Sequence, residues 1–479
     1  DDVDYQDDDN DDDPRTLGTV PPYAETQWLD SEGNSFLCVS DTYVDDGILQ
    51  APHVKGGPGH GLFTDFSLDQ YEDLMKLVCG PDAVSVKNPE ETCWAPAHVV
   101  CGLVNYFEAG AIGLSEDKRQ HCLKIVTDPL YLRKEWDPDL MHPRGQFPLL
   151  LSKIRSDLGT LVHALNAAPE CFSFLAFLIR CLKGMSSDAP PDTPVSPIHQ
   201  NDTNPESIWN EFYDDAATLA MVFSSPEAAN FLFVTPYENL LPTMEALSSP
   251  YVKGETQIMG TDASQNVMGG ANVTRGTKWR RLLPPHVRKD IRDSMEGIDK
   301  GPFQYTIGGA ELGAAVINEL MDCDGKYQVT VGLIDNAGSH AQLGKFKAKN
   351  MVARHMLRIV SLKRMVTKPV VHYSLIKSEL HKLYDMASRS LDEDGVVIPS
   401  VDREILDWEA THKTPLTWKD VPEWMVDLVF PSAENMSRPE SLEPLKKILK
   451  ESLAAGETRS FEKRELDIHR PTPMPLHQA

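Results

Sequence analysis

No stretch of this 479-residue chain approaches the roughly 20 consecutive apolar residues that a bilayer-spanning helix needs. The longest apolar run, CFSFLAFLIRCL at 171–182, is too short and carries Arg180. The chain opens on Asp, where a secretory leader would need a basic and then an apolar segment, so no leader is expected. The sequons at Asn201, Asn272 and Asn435 then read as chance matches rather than glycosylation sites. Membrane contact is not expected, and a cytoplasmic protein is. None of the eight cysteines forms a CxxC pair, which argues against zinc ribbons and thioredoxin-type sites. Several, such as Cys79 and Cys181, sit in apolar runs, as buried free thiols in a reducing compartment do.

The signature motifs of catalysis are missing too. There is no HExxH, GxSxG, Walker A or protein-kinase set. The glycine-rich GGPGHG at 56–61 has neither the Lys-Ser/Thr ending of a phosphate-binding loop nor GxGxxG spacing, and reads as a loop. The Asp-Gly turns in LMDCDGKYQVTV and LDEDGVVIPSV lack acids at the first and twelfth positions of a calcium loop. Cys93 near His98, and Cys122 after His121, are neighbours in sequence only, and nucleophilic catalysis needs proximity in space. With 72 acidic residues, no pair of carboxylates stands out. No catalytic, cofactor-binding or metal-binding residue is nominated, and no cofactor is expected.

Acid is missing from one place. Between Asp335 and Glu379 there is no Asp or Glu, although the formal net charge of the chain is −26. Nine of those negative charges lie in the first 13 residues, and without them the chain still carries −17. Such a body repels nucleic-acid backbones and anionic lipid, so any RNA contact must be local. The acid-free window holds Lys345, Lys347, Lys349, Arg354, Arg358, Lys363, Arg364, Lys368 and Lys377. Val352, Met356, Ile359, Leu362 and Val366 recur at helical spacing, which predicts a helix with Arg354, Arg358 and Lys368 on another face. A second cluster, RGTKWRRLLPPHVRKDIR, holds Arg275, Lys278, Arg280, Arg281, Arg288, Lys289 and Arg292. Trp279 lies among these cations, where it would stack on a base or anchor a loop. The cations of either cluster would meet an acidic protein surface or RNA, or line a solvated helix face.

Composition divides the chain into five parts. Residues 1–22 read as a disordered acidic tail. Residues 23–184 read as a mainly helical domain, with helix starts at Ser67 and Ser115 and an amphipathic stripe through Leu150, Ile154, Leu158, Leu161 and Leu165. The proline-rich 185–206 reads as a linker or loop. Residues 207–456 form an expected α+β domain with the cationic segments. There, 250–307 looks irregular, 309–322 helical, and YQVTVGLID at 327–335 is the best strand. Residues 457–479 read as an extended polar tail. The expected fold class is α+β, predominantly helical, with long irregular loops and few strands.

An acidic tail, a proline-rich break, cationic patches and a polar end give many segments that reach neighbours. That texture resembles structural proteins of fungal double-stranded RNA viruses, capsid or capsid-associated subunits. The resemblance implies an α+β shell subunit with extended termini, working through homo-oligomeric or shell-protein contacts, with weak RNA contact, in a virion. The alternatives are a cytosolic enzyme with an unrecognised active site and an RNA-binding nucleoprotein using the basic clusters.

Overall fold

The computed structural model describes residues 24–29, 35–43, 46–50, 97–100, 103–106, 111–132, 149–199, 205–224, 234–236, 256–301, 303–323, 329–348, 350–367, 369–436, 443, 446 and 447. They fall into two compact units, 1–96 with 469–479, and 97–468. The fold is α+β and mostly helical. The expected terminal tails, GGPGHG and the helix starting at Ser67 lie outside the described residues.

The described part of the first unit is an antiparallel sheet of β1 (Ala24–Leu29), β2 (Ser35–Tyr43) and β3 (Asp46–Gln50). Strands thus occupy part of a region expected to be mainly helical.

In the second unit, four short strands, β4 (Ala97–Val100), β5 (Leu103–Tyr106), β6 (Ala111–Leu114) and β9 (Val234–Pro236), form one sheet. Beside them lie α1 (Glu116–Val126), α2 (Leu151–Ala164), α3 (Ala176–Arg180) and α4 (Pro205–Ser224). Ser115 caps α1 by accepting the Lys118 N–H, as expected. Cys122, Cys171, Cys181 and Cys323 are buried. The unit boundary falls at 96/97, not at the proline-rich stretch. That stretch is held against the unit: β8 (Pro194–Val195) pairs with β7 (Leu149–Leu150), and Val195 is buried in the core.

Within the segment expected to be irregular, 250–307, residues 256–295 are instead well-formed sheet and helix. Strands β10 (Thr256–Ala263), β11 (Val267–Asn272) and β12 (Thr277–Leu282) form an antiparallel meander, followed by α5 (Pro285–Met295). Glycines at 260, 269 and 270 gave it a loop-like composition. In the structure they let other groups approach: a Cβ on Gly269 would lie 2.6 Å from the Ala387 backbone carbon, and one on Gly260 would lie 2.4 Å from the Tyr384 ring.

Helix α6 (Ile307–Asp322) then leads to β13 (Val329–Ile334), which pairs parallel to β10. Helices α7 (Ala337–Lys345) and α8 (Met351–Thr367) lead to β14 (Val370–Leu375), parallel to β13. The sheet order is β14-β13-β10-β11-β12-β15, the last strand being Thr417–Trp418. Helix α6 packs on β10 and β11 and also against α8. Helix α9 (Lys382–Ser388) packs on the same two strands and against α10 (Pro399–His412). The expected strand at 327–335 and the helices at 309–322 and 350–366 are present within a few residues. The helix expected over 374–388 is a strand end, a 3-10 turn and α9.

Candidate metal centre

Strands β10, β13 and β14 are parallel, so their carboxyl ends lie at one edge of the sheet, where ligands of open α/β sheets bind. Asp262 is the penultimate residue of β10. Asp335 directly follows β13. His381 and Asp385 come from the start of α9 and the turn before it, soon after β14. Glu311 comes from the second turn of α6, whose N-cap Thr306 accepts the Gly309 N–H. Asp262, Glu311, Asp335 and Asp385 line one cleft of about 560 Å³. One ligand atom each from Asp262, Asp335 and His381 lies within 4.8 Å of the others.

Local structure fixes each group. Asp262 is buried, and Ser388 Oγ donates to its Oδ2 at 2.7 Å. Ser264, in the β10–β11 turn, donates to the Ser388 carbonyl at 2.7 Å and ties the hairpin to the end of α9. Opposite Asp262 across the strand pair stands Gly269, and that side chain's absence is what admits α9. Ser378 Oγ donates to Asp335 Oδ2 at 2.9 Å. Asn336 Oδ1 accepts the Ser339 N–H at 2.8 Å, capping α7, and its side chain also hydrogen-bonds Glu311.

Burial raises the pKa of Glu311 from 4.5 to about 8, helped by the charges of Asp262 and Asp335, against a smaller opposing effect of the Asn336 hydrogen bond. Asp262 is also pushed up, first by burial and then by Asp335 and Asp385, while Ser388 and His381 oppose the shift. Two further details mark unsatisfied demand. Glu311 Oε2 is buried and accepts no hydrogen bond. His381 is fully buried, with Nε2 3.3 Å from the Leu333 carbonyl oxygen. Its Nδ1, 3.6 Å from Asp335 Oδ1, is buried without a hydrogen-bond partner. The donor set, mostly carboxylate oxygen, suits a hard divalent ion such as Mg²⁺ or Mn²⁺. The residues fit such an ion.

The cations singled out in the sequence do not form this site. Trp279 is buried, and its indole N–H donates to Asn318 Oδ1 at 2.8 Å, so the ring is not available to stack on a base. Lys278 is buried on Glu409 and lies 4.7 Å from the Trp418 ring. Arg280 pairs with Asp402, and Arg281 with Glu423. Arg275 Nε donates to Gln257 at 3.1 Å, and Arg288 Nη1 to the Glu393 carbonyl at 2.8 Å. Lys289, Lys345 and Lys347 are exposed, with Lys347 5.2 Å from the Phe172 ring. Arg354 and Arg358 are not on a solvated face. Both are buried, and Arg358 reaches Glu211 at 3.2 Å and Asp215 at 2.6 Å, both on α4. The acids missing from the window are thus supplied to Arg358 from 147 and 143 residues earlier in the chain. Lys349 and Lys368 lie outside the described residues.

Sequence reasoning missed Asp262, Glu311, Asp335, His381 and Asp385. The signal present was context: single acids in the apolar IMGTDA and GGAELGAA, and an acid ending the best strand. Comparison with known proteins finds no matching family model, no matching characterised protein and no matching solved structure. Among the described residues, no helix is long and apolar enough to cross a membrane.

Proposed function

We propose that the second unit carries a divalent-metal-dependent phosphodiester hydrolase acting on nucleic acid. The observation that carries this reading is the convergence of four carboxylates from β10, α6, the end of β13 and α9 at one cleft. Like charge gathered in one cleft is relieved by bound cations or by protonation, and paired divalent ions held by carboxylates serve phosphoryl transfer in nucleases, polymerases and phosphatases. Bound ions of this kind would supply an activated water and stabilise the leaving oxygen. The chain's own part is to hold the oxygens in place. Asp262 is oriented by Ser388, Asp335 by Ser378, and Glu311 by Asn336. The reaction adds water across a P–O bond, leaving a phosphate monoester on one fragment and a hydroxyl on the other.

Connectivity supports the same reading. The antiparallel strands β10, β11 and β12 are extended by the parallel β13 and β14, which puts the acids at the carboxyl ends of parallel strands, where open α/β sheets bind ligands. The shell-subunit expectation rests on the chain's texture together with the lack of a catalytic signature, and the cleft bears on the second of these alone.

The test is cleavage of labelled single-stranded DNA, duplex DNA, RNA and RNA–DNA hybrid with Mg²⁺, Mn²⁺ or EDTA. Cleavage of at least one substrate, abolished by EDTA and lowered about 10²–10³-fold by Asp262→Asn, is expected, the size of loss typical of removing a group that stabilises transition-state charge. No metal-dependent cleavage of any of the four, with no Mn²⁺ binding, overturns the proposal.

A further inference from the structure

Among the described residues lining the cleft, Arg389 is the one cation. It caps the C-terminus of α9, and its guanidinium lies 2.5 Å from Asp385, one turn earlier on the same helix. Its side chain is 66% exposed and that of Asp385 is 37% exposed. An exposed i,i+4 pair contributes about twofold in an equilibrium constant. Asp385 is therefore neutralised by a partner that is easily exchanged. Among the described residues no arginine or lysine pairs with Asp262, Glu311 or Asp335, and their mutual repulsion is relieved only in part by His381 and by hydroxyl and amide donors.

We propose that Arg389 is a placeholder cation: it occupies Asp385 while the cleft is empty, is displaced when a divalent ion is bound, and then binds the phosphate of the substrate strand. This rests on the hydrolase reading above. Two facts argue for the second role. The backbone of Arg389 is fixed by its N–H bonds to the α9 carbonyls of Met386 and Ala387, so only the side chain moves. A released guanidinium at the lip would meet a phosphate with two parallel N–H donors, a geometry lysine does not offer. The cations of the RGTKWRR segment are engaged elsewhere, on Gln257, Glu409, Asp402 and Glu423, so they do not compete for this role.

Arg389→Gln and Arg389→Lys separate the two roles. Mn²⁺ alone is titrated into each protein by calorimetry, and steady-state cleavage of a labelled oligonucleotide is measured at saturating Mn²⁺. Removing the competing cation is expected to tighten Mn²⁺ binding about twofold in Arg389→Gln. Losing the phosphate contact is expected to raise KM about tenfold, with kcat changed less than about threefold. Arg389→Lys should recover part of the KM and weaken Mn²⁺ binding again. Unchanged or weaker Mn²⁺ binding in Arg389→Gln, or an unchanged KM, overturns the placeholder. If the wild type binds Mn²⁺ and cleaves but the split is absent, only this inference fails. A wild type that binds no Mn²⁺ defeats it together with the hydrolase reading.

Discussion

Glu311 gives the sharpest handle on the cleft. Its carboxyl is held up to about 8, chiefly by burial and then by Asp262 and Asp335. At pH 7 a group of that pKa is about 90% protonated, and a metal ligand must be deprotonated. Binding of Mg²⁺ or Mn²⁺ at pH 7 should therefore release about 0.9 proton from Glu311 alone. The apparent association constant follows the ionised fraction. It should rise about ninefold from pH 6 to 7, about fivefold from 7 to 8, and less than about twofold from 8 to 9. Calorimetry in buffers of different ionisation enthalpy reads the proton release directly, and repeating it at each pH reads the slope. Glu311→Gln should bind more weakly and lose most of both effects. Asp262, also pushed up, would supply any remaining slope. The sign for stability follows from the same shift. A raised acid pKa means that the folded state holds the proton more tightly, so metal-free protein loses stability as pH rises from 4.5 through about 8. A divalent ion should restore that loss, as a larger gain in Tm at pH 8 than at pH 6. Affinity flat between pH 6 and 9, or a Glu311→Gln variant with the wild-type slope, would refute the reasoning.

Two further outcomes are expected. Gly269→Ala places a methyl 2.6 Å from the Ala387 backbone, so α9 must shift; chemical denaturation should show a loss of about 1–3 kcal/mol, and Mn²⁺ binding should weaken with it. Arg358→Ala leaves Glu211 and Asp215 in the interior with Arg354 alone to balance them and should cost about 3–5 kcal/mol, whereas Arg281→Ala, which removes a largely exposed pair, should cost less than about 1 kcal/mol by the same measurement.

Helices with strong apolar stripes were legible in the sequence because periodicity is a local property. Val352, Met356, Ile359 and Leu362 are all buried in α8 as the spacing predicts. What faces the other way was not legible. The charges of Arg354 and Arg358 looked solvated because their partners lie on α4, which only tertiary structure brings near. The meander was hidden for a related reason. Gly260, Gly269 and Gly270 resemble loop residues by composition, and their purpose is visible only once Tyr384, Ala387 and Trp279 are packed against them. With β10 unrecognised, Asp262 was one acid among 72. The carboxylates span 124 positions, share no spacing motif, and meet only because three strands run parallel and end at one edge.

That parallel pairing also sets when a working cleft can exist. The hairpin of β10 and β11 can close within a few residues, but β10 must wait for β13, some 70 positions later, and then for β14 and α9. Non-local contacts of this kind form late, because the loop entropy is lost before the pairing compensates it. Ser388 is both the anchor of Asp262 and nearly the last residue of the cleft to leave the ribosome. A nascent chain that has not yet emerged past position 389 has neither the anchor nor Arg389. On the hydrolase reading, a chain truncated before position 389 is expected to be inert, because the cleft needs the completed sheet.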